Sequence, residues 1–191
     1  MANALETEHV GDSLVIRFTR PEIRNPLSVE VLTVLHLLFD RIDGGSFERV
    51  IFTGSGDVFA SGADLREIAA VGADGAREFA LRGQSLMKKI ANCGCETIAA
   101  VNGVCFGGAL DLSIACSRRI ASPAAVFAHP GANLGIITGW GGTQRLPRLI
   151  GEGRALEMLF TAKRVSVEEA MFIGLVDQIA GDALEAALTA V

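Results

Sequence analysis

The chain has 191 residues, half of them hydrophobic, with 22 Asp and Glu against 17 Lys and Arg and a formal net charge of −5. That is enough for one globular domain with a substantial core, and the basic residues, scattered singly or in pairs as at Lys88–Lys89 and Arg118–Arg119, exclude the clustered stripe of a nucleic-acid surface. The apolar runs are broken well short of the ~20 residues of a membrane helix, and the opening MANALETEHVGDSLVIRF has no signal-peptide pattern, so the expectation is a cytoplasmic protein with no membrane partner.

In chain order, SLVIRFT (13–19) alternates like a strand. SVEVLTVLHLLFDRI (28–42) follows as a helix with Ser28 as N-cap and Leu32, Leu35, Phe39 and Ile42 on one face. RVIFTG (49–54) reads as a buried strand, and ADGAREFALRGQSLMKKIAN (73–92) as a helix capped by Asp74. TIAAVNG (97–103) is a third strand that leads through VCFGG into the helical ALDLSIAC. RIAS and VFAHP precede a glycine-rich turn into TQRLPRLIG, and SVEEAMFIG shows a Ser166/Glu169 capping box with a Gly174 stop. DALEAALTAV opens one more helix. The alternation of strand, glycine turn and helix predicts an α/β fold. The four cysteines, at 93, 95, 105 and 116, fit neither a disulfide framework nor a zinc site and read as small buried hydrophobes.

Two glycine-rich turns carry the chemistry. GSGDVFASGADLREI exits a strand and starts a helix at Gly62, Ala63 and Asp64, and AVNGVCFGGALDL does the same at Gly107–Gly108. Backbone N–H groups at such turns are free to bind an oxyanion, and paired glycines let a ligand approach the main chain closely. Two converging donors of this kind suit a developing enolate or tetrahedral oxygen.

FASGADL, AAVNGVCFGGALDLSIAC, GWGGTQRLPRLIG and EEAMFIGLVDQI, in this order, together with RPEIRNPLS (20–28), resemble the crotonase superfamily, the enoyl-CoA hydratase/isomerase family, over nearly the whole chain. The resemblance implies a spiral of ββα units that binds acyl-CoA, with the thioester oxygen held by the backbone N–H groups of Ala63 and Gly108. Ala63, Asp64, Leu65 and Arg66 would line the pantetheine and substrate channel, Arg24 would lie near the nucleotide end of coenzyme A, and Trp140 would lie along the acyl pocket, narrowing it, stacking on a flat substrate, or filling core. Homotrimers or hexamers, and a place in fatty acid metabolism, are implied as well. Residues 1–180 are then the acyl-CoA-binding core and 181–191 the start of a C-terminal helix, the family's usual C-terminal helical region being truncated or absent.

The sequence departs from the family where hydratases carry two glutamates, in GGxxE and FxxPE. Adding water across a conjugated thioester needs one group to activate water and another to handle the proton at the α-carbon. Here the first position is Asp111 and the second is Gly131. Four replacements are open: Asp111 acting alone as a one-base catalyst, His129, a bicarbonate above Gly131 by resemblance to the naphthoate-synthase branch, or Glu67. Pro130 disturbs the alternation around His129, which reads as structural or solvent-facing, and Glu67 reads as a surface or capping group. The reading is therefore an acyl-CoA enzyme using Asp111 for isomerisation or atypical hydration. It has no metal or resident cofactor, the coenzyme A thioester being the substrate. The alternative is a non-catalytic acyl-CoA-binding or scaffolding member.

Overall fold

The computed structural model describes residues 4–42 and 47–190. Its main sheet has the order β1-β2-β4-β7-β9-β12, formed by β1 (Leu5–Val10), β2 (Ser13–Phe18), β4 (Arg49–Gly54), β7 (Glu96–Val101), β9 (Arg118–Ala121) and β12 (Gln178–Ile179). All neighbours are parallel except the β1–β2 hairpin. Parallel strands covered on both faces read as continuous apolar runs, which is why RVIFTG and ETIAAV are legible as strands while the largely exposed LETEHV is not.

A smaller sheet, ordered β11-β10-β8-β5, takes β5 (Val58–Ala60), β8 (Val104–Phe106), β10 (Val126–Ala128) and β11 (Val165–Ser166). Each of three successive passes, β4 to β5, β7 to β8 and β9 to β10, gives one strand to each sheet. Helices α2 (Leu65–Ala70) and α3 (Ala73–Ala91) follow the first pass and α4 (Gly108–Ser113) the second. This is the spiral of ββα units that the resemblance implies. A two-stranded parallel pair, β3 (Pro26–Leu27) with β6 (Gly62–Ala63), clips the N-terminal segment beside the first glycine turn.

The core lies on the face of the main sheet that meets α1 (Val29–Phe39), α3 and α4, where Phe18, Leu32, Leu35, Phe52, Phe59, Leu86 and Leu110 are buried together. On the opposite face Val15, Ile51, Ile98, Ala100 and Ile120 form a second cluster with Ala183 and Ala187 of α8 (Ala183–Leu188). α8 thus packs on this second cluster; Val191 lies outside the described residues.

Ser28 caps α1, its Oγ accepting from the Val31 N–H at 3.3 Å. The N-cap of α3 is Gly72, with Asp74 inside the first turn, where its charge still favours the positive end of the helix. In α7 (Val167–Phe172) Ser166 Oγ accepts from Glu169 N–H, but the Glu169 carboxylate takes Lys163 at 2.8 Å, so only half of the expected box forms. Gly174 does stop this helix, with φ +81°. The remaining helices are α5 (Gly142–Ile150) and α6 (Glu152–Thr161), the latter without a cap signal in the sequence. Cys105 and Cys116 are buried as expected, whereas Cys93 and Cys95 are half-exposed, with their sulfurs 3.1 Å apart. No helix among the described residues is long and apolar enough to cross a membrane.

Candidate active site

The parallel pairing of β5 with β8, Ala60 beside Cys105, makes the two glycine turns leave the small sheet together. They come so close that a Cβ on Gly62 would lie 2.8 Å from Gly108 N and 2.7 Å from Phe106 O, and Gly62 itself has φ +94°. Only glycine satisfies both conditions. Gly107 N–H donates to Ala128 O at 2.9 Å, which fixes the second turn to the end of β10, and Gly108 is the first residue of α4, where an N–H has no partner within the helix.

One turn further along α4, Asp111 is 1% exposed. Thr138 Oγ1 donates to its Oδ2, while Oδ1 has no hydrogen-bond partner in the protein and faces His129 Nε2 at 3.6 Å. Burial pushes the Asp111 carboxyl up to about 7, against the opposing pull of the Thr138 hydroxyl, the backbone of Trp140 and Gly142, and the Arg145 charge. His129 is 2% exposed, and burial pushes its imidazole down to about 4. Between those values the two groups are a carboxylic acid and a neutral imidazole, and at 3.6 Å they form neither an ion pair nor a direct hydrogen bond. Of the two expectations for His129, structural or solvent-facing, its burial is in keeping with the first and not with the second. β10 ends at Ala128 and Pro130 opens a 3-10 turn, so the imidazole turns inward.

Gly131 also lines the cleft, but the direction a side chain would take from it is filled: an added Cβ would meet Ile136 O at 2.6 Å. The Pro130–Leu134 turn closes on itself, Ile136 N–H donating to Gly131 O at 3.0 Å. A glutamate at this position needs that loop rebuilt.

These groups sit at the floor of a cleft of about 450 Å³, in the size range of small-molecule sites. Leu65, Ile68, Val71, Ala76, Phe79 and Ala80 form one wall and Leu134, Ile136 and Ile137 the other. The polar side chains lining it are Ser61, Asp111, His129 and Thr138. A concavity of about 550 Å³ beside β1 and α1, lined by Leu5, Val34, Leu37 and Arg41 among others, holds neither a glycine turn nor a buried acid, so volume alone does not select the site.

Ala63, Leu65 and Gly108 line the cleft. Asp64 and Arg66 do not. Asp64 caps α2 by accepting from Arg66 N–H at 2.8 Å, and its carboxylate, bound by the Arg66 guanidinium, is held below its ordinary pKa. Arg66 points outward. Glu67 faces away from the site, accepting from the first N–H of α1, that of Val29, at 2.8 Å. Trp140 is 3% exposed. Its indole lies flat against Gly83 and Gly108, either of which would strike it with a Cβ at 2.2–2.4 Å, so it is core that shows one side to the cleft. Arg24 is exposed and in the left-handed region, φ +65°, and its carbonyl accepts from Ser61 N–H at 3.0 Å. The residue that fixes this loop, Asn25, went unnoticed in the sequence. It is buried, with Nδ2 donating to Val58 O and Phe59 O and Oδ1 accepting from Arg20 N–H. Its place directly before Pro26, in a chain that must reverse, was the available signal.

A sequence-family profile for enoyl-CoA hydratase/isomerase matches residues 11–188. Crotonyl-CoA hydratase of Syntrophomonas wolfei is 40% identical over 86% of this chain and 64% of its own length, and the short-chain-enoyl-CoA hydratase of Clostridium acetobutylicum is 36% identical over 93% and 69%. The crystal structure of enoyl-CoA hydratase from Bacillus anthracis superposes with a TM-score of 0.92 at 34% identity, over 97% of this chain and 74% of that one. The chain spans 60–69% of the length of the curated relatives it matches. With the ββα spiral and the paired glycine turns already in place, the profile match across almost all of its length establishes that this chain belongs to the enoyl-CoA hydratase/isomerase family, the crotonase superfamily.

Proposed function

We propose that this protein binds an acyl-CoA thioester and transfers a proton on it with Asp111, in an isomerisation or a one-acid hydration. The observation that carries the reading is a single buried acid on the floor of an apolar cleft, on the helix that begins at the second of two abutting glycine turns. In this reading the backbone N–H groups of Ala63 and Gly108 bind the thioester oxygen, and negative charge that develops there on enolisation meets donors already in position.

Shifting a double bond from C3–C4 to C2–C3 removes a proton from C2 and returns one to C4. The Asp111 carboxylate takes the first and delivers it as the second, and ends unchanged. A carboxyl raised to about 7 is matched to both halves, since acid and base forms are then similarly populated near neutral pH. The apolar walls carry no cationic side chain, which suits an uncharged acyl chain.

The test is turnover of a 3-enoyl-CoA and of crotonyl-CoA by the full chain and by Asp111→Asn. The variant is expected to lose at least about a hundredfold in kcat while still binding coenzyme A thioesters, and wild-type kcat/KM is expected to rise with pH through about 7 as the base form appears. Unchanged kcat in Asp111→Asn contradicts the reading, and tight thioester binding without turnover by the wild type favours the non-catalytic alternative. Added bicarbonate is included as an arm. The Ile136 carbonyl beside Gly131 offers an anion an acceptor where it needs a donor, so no stimulation is expected.

A further inference from the structure

Asn92, Cys93, Gly94 and Cys95 join α3 to β7. Both ends of this link are tied down: Cys93 N–H donates to Ile90 O at 3.2 Å in the last turn of α3, and Glu96 N–H donates to Glu48 O at 3.0 Å where β7 begins. Held in this way, the Cys93 and Cys95 sulfurs are in hydrogen-bond contact at 3.1 Å, about 1 Å beyond a disulfide bond length. Gly94 between them is exposed and has no Cβ to obstruct a small rotation of the link. Both cysteines are half-buried and within reach of a small solute, whereas Cys105 and Cys116 are buried, with their thiols pushed up by that burial. Among the described residues no group of three or more His, Cys, Asp or Glu is arranged to hold a metal ion, so each thiol of the pair has the other as its chemical partner.

We propose that Cys93 and Cys95 form a reversible dithiol–disulfide site oxidised by hydrogen peroxide, apart from the cleft and independent of the reaction proposed there. Cys93 Sγ gives up its proton and attacks one peroxide oxygen, the O–O bond breaks, and a sulfenic acid forms with release of one water. Cys95 Sγ then bonds to Cys93 Sγ, the S–O bond breaks, and the hydroxyl leaves with the Cys95 proton as a second water. The two thiols lose two electrons and two protons, and the peroxide is reduced to two waters. Burial and the neighbouring Cys93 sulfur push the Cys95 thiol up to about 12, which keeps the proton on Cys95 at neutral pH and leaves the first attack to Cys93. A bridge across a single residue constrains the unfolded chain little, so the bond is a chemical state of the link and not a staple of the fold. A dithiol reductant restores the thiols by exchange.

The experiment treats the reduced full chain with hydrogen peroxide, unfolds it, alkylates the remaining thiols and cleaves it after Lys89 and Glu96, which leaves Cys93 and Cys95 as the cysteines of the fragment 90–96. By mass, that fragment is expected to be unalkylated and lighter by two hydrogens, and to become dialkylated when dithiothreitol precedes alkylation, while Cys105 and Cys116 are alkylated throughout. Cys95→Ser removes the partner thiol, so its Cys93 sulfenic acid is expected to be captured by dimedone at least about tenfold more than in the wild type, where Cys95 consumes it. A wild-type fragment that stays dialkylated under peroxide, a disulfide from either cysteine to Cys105, to Cys116 or to a second chain, or equal dimedone capture in the two proteins overturns the proposal. Melting curves check that Cys95→Ser folds, and the wild-type arm, which needs no substitution, decides the matter by itself if it does not.

Discussion

At the scale of single residues, the site turns on two side chains whose burial moves them in opposite electrostatic directions. Folded Asp111 keeps its proton up to about pH 7, and the unfolded chain loses it near 3.8. Its contribution to stability is complete below that lower value and is lost as pH rises through the upper one, because over the interval the folded state binds the extra proton. His129, lowered from 6.5 to about 4, acts oppositely, contributing fully above its unfolded value and losing that contribution as pH falls through about 4. In Asp111→Asn only the histidine effect remains. The stability of the wild type minus that of the variant is therefore expected to fall by about 1.4 kcal/mol per pH unit between pH 4 and 7 and to level off above, as measured by urea unfolding across that range. A difference independent of pH would mean that Asp111 titrates as an exposed carboxyl. Asp111 was legible in the sequence because GGxxD keeps the spacing of a known pattern. His129 was legible as a candidate, but its inward direction was not, because that depends on a strand ending one residue earlier.

At the scale of elements, the glycine turns work because two strands distant in sequence are neighbours in the small sheet. Gly62→Ala puts a methyl 2.8 Å from Gly108 N at φ +94°. It is expected to cost roughly 1–3 kcal/mol of stability and, under the proposed function, to lower turnover of a 3-enoyl-CoA by at least about tenfold, since there it separates the donors from the thioester oxygen. The control is Gly153→Ala in α6, where an added Cβ meets nothing within 4 Å and better helix propensity gives a neutral or slightly stabilising change. Equal melting temperatures and rates for the two variants would mean that the turns do not abut as described. The glycines themselves were visible in the sequence. Their mutual contact, and the flat seating of Trp140 on Gly83 and Gly108, were not, since each involves segments tens of residues apart.

At the scale of the whole molecule, the main sheet needs cover on both faces, and α8 supplies it on the side away from the cleft. Ala187→Asp, at a fully buried position, is expected to lower stability by roughly 3 kcal/mol or more, read as a shift of the urea midpoint, with the cleft residues untouched. A midpoint within error of the wild type would remove α8 from the cooperative unit. The sequence by itself determined the α/β class, the buried parallel strands, most helix starts, the family, and Asp111 as the one acid at a family catalytic position, because these follow from local periodicity, capping chemistry and motif spacing. Only the tertiary structure decided that His129 faces Asp111, that Asp64 caps a helix instead of lining the cleft, that Trp140 is core, and that the space beside Gly131 is taken by Ile136. Each of these depends on which distant segment occupies the volume next to a side chain, a matter of chain packing that no local pattern encodes.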